Sequence, residues 1–177
     1  MDTAKLKALF LDRDGVVNQA VPLGQYITRW EEIQFQDGIE DLLERAVQRR
    51  YLPIVVTNQP QVAKGLLKID DLIAIHHRMK NHFGNKIETF MLCPHVDEDN
   101  CKCRKPKPGL LERAGRAYDI SFPQSLMVGD SWRDIQAGQA AGCQTVFLHN
   151  QYNKKELGLC KSDYTVTHLR EIHDLLL

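Results

Sequence analysis

Two aspartates, Asp12 and Asp14, directly follow the apolar run Ala8-Leu9-Phe10-Leu11 and precede Gly15. On an extended segment, residues two apart point the same way. The two carboxylates therefore share a face, Arg13 points elsewhere, and Gly15 lets the chain turn sharply. Carboxylates this close repel, and a hard cation with oxygen ligands relieves the repulsion. Asp130, arriving after another apolar run, supplies a further carboxylate, and magnesium suits such an all-oxygen set. Thr57 by itself reads as a strand-end hydroxyl bonded to nearby backbone. Asp134 has two readings of equal weight: the acid of a capping box in Ser131-Trp132-Arg133-Asp134, or a neighbour of the metal.

A second constellation is Cys93-Pro94-His95, a gap of five residues, then Cys101-Lys102-Cys103. Three thiolates and one imidazole make a closed tetrahedral set with no position left for water, which reads as structural zinc. Residues 96–102 contain almost no apolar side chain, so a metal would supply order that a hydrophobic core cannot. Arg104 and Lys105 follow Cys103 at once, and zinc would position them without reacting. The other histidines, His76, His77, His82, His149, His168 and His173, show no ligand spacing and are expected on solvated helix faces or in loops. Cys143 is expected to be buried in the fifth strand.

The elements that must carry these residues are short. Ile54-Val55-Val56, Leu126-Met127-Val128 and Thr145-Val146-Phe147-Leu148 join the first apolar run as strands buried on both faces, with another near 87–92. Helical periodicity covers residues 38–50, 69–83 and 108–118; in the second, Leu72, His76, Met79 and Phe83 fall in register. A polar stretch over 151–162 is expected as a surface segment before a last strand and helix. Alternation of this kind predicts an α/β fold: a Rossmann-like three-layer sandwich with a mostly parallel sheet and right-handed crossovers. In such sheets ligands bind beyond the carboxyl ends of the strands. Asp12, the Thr57-Asn58-Gln59 segment and Gly129-Asp130 should thus converge on one crevice.

The chain has 177 residues, which suits one domain (1–177) containing a zinc loop over 93–103. Lysine plus arginine equals aspartate plus glutamate at 23 each, and aromatic residues are few. Nothing global therefore suggests a nucleic-acid or membrane surface, and a small-molecule partner is expected. Met1 to Lys7 carries no basic segment leading into an apolar stretch, so the cytoplasm is the expected compartment. In a reducing compartment, clustered cysteines suggest metal before disulfide. With no long exposed apolar helix expected, a monomer is the default.

Taken in order, Asp12-Arg13-Asp14-Gly15, Thr57, Lys105, and Gly129-Asp130 with Asp134 resemble the four motifs of the haloacid dehalogenase superfamily of phosphatases, over roughly residues 8–148. The resemblance implies in-line attack by Asp12 on phosphorus, giving an aspartyl-phosphate that water then hydrolyses. Asp14 would act first as acid and then as base. Magnesium held by Asp12, Asp14 and Asp130, together with Lys105 and Thr57, would neutralise the phosphoryl oxygens. The zinc-loop pattern, running on through Arg104-Lys105-Pro106, resembles the superfamily branch that contains the heptose 1,7-bisphosphate and histidinol-phosphate phosphatases, whose members lack a large cap domain. That implies a phosphorylated sugar as substrate, with histidinol phosphate as the alternative, and Arg104, Asn18, Asn58 and Gln59 as substrate contacts. A cationic amine could be held by the run Asp97-Glu98-Asp99. Pro60-Gln61 stands where the family usually has Ser-Gly, and proline offers no amide there. A zinc-containing binding module with an inert phosphatase frame is the contrasting reading.

Overall fold

The computed structural model describes residues 5–22 and 24–177. Met1 to Ala4, part of the segment read for a leader, and Leu23 in the first loop lie outside the described residues. Among the described residues, no helix is long and apolar enough to cross a membrane.

Strands β1 (Lys7–Leu11), β2 (Tyr51–Asn58), β3 (Thr89–Cys93), β4 (Leu126–Gly129), β5 (Gln144–Leu148) and β6 (Tyr164–Val166) form a parallel sheet in the order β3-β2-β1-β4-β5-β6. The period-two geometry of a strand makes β1 the hub of two cores. Leu9 and Leu11 pack with Leu42, Leu43 and Ala46 of α1 (Ile39–Gln48) and Ile75 and Met79 of α2 (Ile69–His82). Ala8 and Phe10 face the other way, toward Leu110, Leu111 and Ala114 of α3 (Gly109–Tyr118) and Ala137 of α4 (Trp132–Ala141). The result is the expected three-layer α/β sandwich, with no large cap among the described residues.

Three details differ from the sequence expectation. The strand expected at 87–92 runs from Thr89 to Cys93, which puts the first zinc-loop cysteine at the strand's end. The closing helix is a 3-10 segment, Leu169–Leu175, and Cys143 is buried just ahead of β5 instead of within it.

The chain lays down β1, β2 and β3 in one direction, then returns through α3 to place β4 on the opposite side of β1. The reversal opens a crevice beyond the ends of β1 and β4, where a doubly wound sheet binds its ligand. Asp12 and Asp130 follow those two strands, and the Asp12 amide donates to the Val128 carbonyl at 3.0 Å, closing the strand ends on each other.

Candidate active site

Asp12, Asp130 and Asp134 bring carboxylate oxygens within 4.8 Å of one another. Two glycines make this possible. A Cβ on Gly15, at φ +92°, would stand 2.0 Å from Asp130 Oδ2, and a Cβ on Gly129 would stand 2.0 Å from Asp134 Cβ. A side chain at either place would push one carboxylate out of the cluster.

The sequence left Asp134 open between capping and the metal, and the structure places it in the capping box and within the carboxylate cluster: its Oδ2 accepts from the Ser131 amide at 3.1 Å, closing the box at the start of α4. Its Oδ1 lies 2.6 Å from Lys105 Nζ, which also reaches Asp12 Oδ1 at 2.8 Å and donates to the Val56 carbonyl at 2.7 Å. Burial alone would lower the pKa of Lys105, but Asp12 and Asp134 hold it above the ordinary lysine value. One ammonium does not balance three carboxylates. Burial, and then the charge of Asp134, push Asp12 up to about 7, and burial and Asp12 push Asp130 well above the usual range. A site that frustrates its own carboxylates in this way fits a divalent cation.

The carboxylate of Asp14 does not join this cluster. Oδ1 accepts from Arg13 Nε at 3.1 Å, Arg13 NH2 at 2.9 Å and Asn18 Nδ2 at 3.0 Å; Oδ2 accepts from Arg13 NH2 at 2.9 Å and Gln59 Nε2 at 2.8 Å. Burial would raise Asp14, but the Arg13 guanidinium and these amides more than offset it and hold the carboxyl below its ordinary value. Arg13 does not point away from the pair, as strand alternation suggests. It folds back, buried, onto Asp14.

Asn18 and Gln59, expected as substrate contacts, are corrected by burial: both are 0% exposed and hold Asp14 from behind. Gln59 Nε2 also donates to Thr57 Oγ1 at 2.8 Å, and Gln61, buried, donates to Gln59 Oε1 at 2.5 Å. The Pro60-Gln61 departure thus adds a brace beneath Gln59. Asn58 exchanges two hydrogen bonds with the Lys105 backbone, at 3.0 and 3.1 Å, so its amide positions the lysine while its edge lines the cleft. The cleft is also lined by Asp12, Asp14, Tyr26, Arg104 and Arg133.

At its rim, Asp97 stands between two guanidiniums, 2.6 Å from Arg104 Nε and 3.5 Å from Arg133 NH2. Among the described residues, Arg133 Nε is buried without a hydrogen-bond partner. Arg133 was not singled out from the sequence; its place in the first turn of α4, after a strand-end Asp130, was the available signal.

Cys93, His95, Cys101 and Cys103 gather as the spacing predicts. Four neighbouring pairs stand 3.4–3.6 Å apart: Cys93 Sγ to His95 Nδ1 and to Cys101 Sγ, and Cys103 Sγ to the same two atoms. Ligands about 2.3 Å (sulfur) and about 2.0 Å (nitrogen) from a central zinc stand about 3.5–3.8 Å apart at the corners of a tetrahedron, so the set fits that ion. Burial drives the Cys93 thiol up, whereas the Arg104 amide and the Cys103 and Cys93 thiols offset burial and bring Cys101 down to about 7.

A family model described as HAD-hyrolase-like matches residues 102–172. The chain is 38% identical over 154 residues to the D-glycero-alpha-D-manno-heptose-1,7-bisphosphate 7-phosphatase of Campylobacter jejuni, covering 85% of this chain and 87% of that one. It is 35% identical over 155 residues to the beta-anomer enzyme of Bordetella bronchiseptica, covering 86% of each. The crystal structure of the B. bronchiseptica D,D-heptose 1,7-bisphosphate phosphatase, complexed with magnesium and phosphate, superposes with a TM-score of 0.87 at 30% identity, over 97% of this chain and 98% of that one. A phosphatase fold, its strand-end carboxylates and these relatives agree: the chain is a phosphoric monoester hydrolase and belongs to the heptose-1,7-bisphosphate 7-phosphatase family of haloacid dehalogenase-like hydrolases.

Proposed function

We propose that this chain acts as a single phosphatase domain that removes the C7 phosphate of D-glycero-D-manno-heptose 1,7-bisphosphate, with Asp12 as nucleophile. The observation that carries the substrate reading is the pair of guanidiniums of Arg104 and Arg133 at the rim of the cleft that holds Asp12. A planar fork suits phosphate, and Arg133 Nε is a donor awaiting an acceptor. Asp97 is already spent on both arginines, which argues against an acidic patch kept for the amine of histidinol phosphate.

Asp12 and Asp130 would hold magnesium through their carboxylates, and Asp14, its carboxylate engaged elsewhere, would offer its main-chain carbonyl. When bound, the ion neutralises charge on the phosphoryl oxygens and on the cluster. Lys105 keeps Asp12 Oδ1 in place and adds positive charge beside the phosphorus; Thr57 supports the same group. The Asp12 carboxylate attacks phosphorus, the sugar oxygen leaves with a proton from Asp14, and Asp14 then takes a proton from the water that cleaves the acyl phosphate. Asp14 rests ionised, ready for the second step. An entering phosphate dianion raises a neighbouring carboxyl's pKa and so favours the proton needed for the first. Cys93, His95, Cys101 and Cys103 would hold zinc, which would make rigid the base from which Arg104 and Lys105 project.

Phosphate release with magnesium, measured on both anomers of the bisphosphate and on histidinol phosphate, tests this reading. Preference for a bisphosphate anomer is expected, and preference for histidinol phosphate would replace the substrate while keeping the chemistry. The raised Asp12 pKa sets a second expectation. Without metal, the native fold keeps a proton that the unfolded chain releases near its ordinary value of 3.8, so this group costs stability as pH rises toward about 7. A magnesium ion held by Asp12 would displace that proton. It should raise the melting temperature by about 4 °C or more at pH 8 and by less than about half that at pH 5. Equal shifts at the two pH values would show that the metal does not bind at Asp12.

A further inference from the structure

Arg13 is 1% exposed and has more donors than Asp14 can use. Its Nε and NH2 grip Asp14, while NH1 lies 3.3 Å from Nε2 of His76, a histidine of α2 that is 4% exposed and stacks on Phe90 of β3 at 4.4 Å between ring centroids, 15° between planes. A guanidinium cannot accept, so His76 Nε2 is the acceptor and the ring proton sits on Nδ1. Burial, and then the charge of Arg13, hold His76 down to about 3, so the ring is neutral and keeps this lone pair. The expectation of a solvated helix-face histidine is thereby corrected.

We infer that His76 is a positioning residue for the phosphatase reaction: clamped by Phe90, it fixes the far edge of Arg13 and so the orientation of the Asp14 carboxyl in the cleft. Nothing else on α2 reaches the active site by a hydrogen bond among the described residues. Without the acceptor, the Arg13 fork keeps a buried, unpaired N–H and can rotate toward another partner, carrying Asp14 with it. This inference rests on Asp14 being the acid and base proposed above.

The test uses the intact, metal-loaded enzyme with two substitutions of opposite design. His76→Phe keeps the ring and its stacking on Phe90 but removes the acceptor. His76→Gln gives up the stacking and offers Oε1 near the place of Nε2. Substrates are heptose 1,7-bisphosphate, whose alkoxide needs a proton to leave, and p-nitrophenyl phosphate, whose phenolate does not. Since kcat/KM reports events up to leaving-group departure, His76→Phe should lower it about tenfold for the sugar and less than about twofold for the aryl ester, with His76→Gln within about threefold of the parent on both. An equal loss on both esters, no loss with His76→Phe, or a Gln variant as impaired as the Phe variant would overturn the inference. Asp14→Asn, run alongside, separates the underlying reading: strong activity on the sugar in that variant removes Asp14 as the acid, whereas a dead Asp14→Asn beside a normal His76→Phe removes only the role of His76.

Discussion

Replacing Asp12 by Asn is expected to reduce phosphate release by about four orders of magnitude or more while leaving the fold intact. The amide keeps the size of the carboxylate and still offers Oδ1 to Lys105 Nζ, now at 2.8 Å, but it is a poor nucleophile and cannot form the acyl phosphate. The same change removes one of three crowded carboxylates. In the metal-free protein at pH 8, where Asp12 would otherwise be forced to ionise beside Asp134, the melting temperature of the variant should equal or exceed that of the parent. Lost turnover with unchanged or improved stability is a signature that misfolding cannot imitate. Release assays on the bisphosphate together with thermal unfolding supply both readouts, and a variant within tenfold of parent activity would take the nucleophile's role away from Asp12. Asp14→Asn should cost less, about two to four orders of magnitude, because nucleophile and electrostatics survive.

Removal of zinc is expected to lower stability by about 5 kcal/mol or more, a fraction of the roughly 10–16 kcal/mol that structural zinc supplies to small motifs. At about 2–4 °C per kcal/mol for a chain of this size, the melting temperature should fall by about 10–20 °C. The reason lies in what else holds the loop. Cys93 is fully buried at the end of β3, but Val96 to Asn100 is partly or fully exposed and contributes no side chain to either core. Lys107 ties the loop through Asn100 Oδ1 at 2.7 Å and the Cys101 carbonyl at 2.8 Å, and the Lys102 carbonyl packs so closely on Gly109 that a Cβ there would lie 2.2 Å away. These contacts orient a loop already folded; they do not replace a core. Cys101→Ser or Cys103→Ser, or a chelator checked by metal analysis, should produce the fall together with a loss of turnover, because Lys105 begins two residues after Cys103. Protons compete with zinc for the thiolates, so chelation should proceed faster as pH falls. A metal-free protein with unchanged melting temperature and activity would mean that the loop stands without zinc.

Much of this was readable along the chain because it depends on neighbours in sequence. Alternating apolar runs and helical stripes determine a parallel α/β sandwich, and the residue after each strand must emerge at the same edge of the sheet. The Cys-Pro-His and Cys-Lys-Cys pairs lie close enough that their loop can close on one ion whatever surrounds it. The partners of the buried polar groups were decided only in three dimensions. Periodicity sets His76 in register with Leu72 and Met79 of α2, yet the sequence offers it no partner and reads it as solvated; the fold buries it against Arg13, 63 residues away. Gln59 looks like a free amide in sequence and is consumed by Asp14 because β1 and β2 end side by side, and Asn18 is turned back onto Asp14 by the tight turn that follows β1. Likewise, only the reversal of strand order, which sets β4 beside β1, decides that Lys105 neutralises Asp12 and Asp134 together. Sequence determines local geometry and which surfaces must be buried. Which charges then meet is a property of the closed fold, where low dielectric makes each meeting strong.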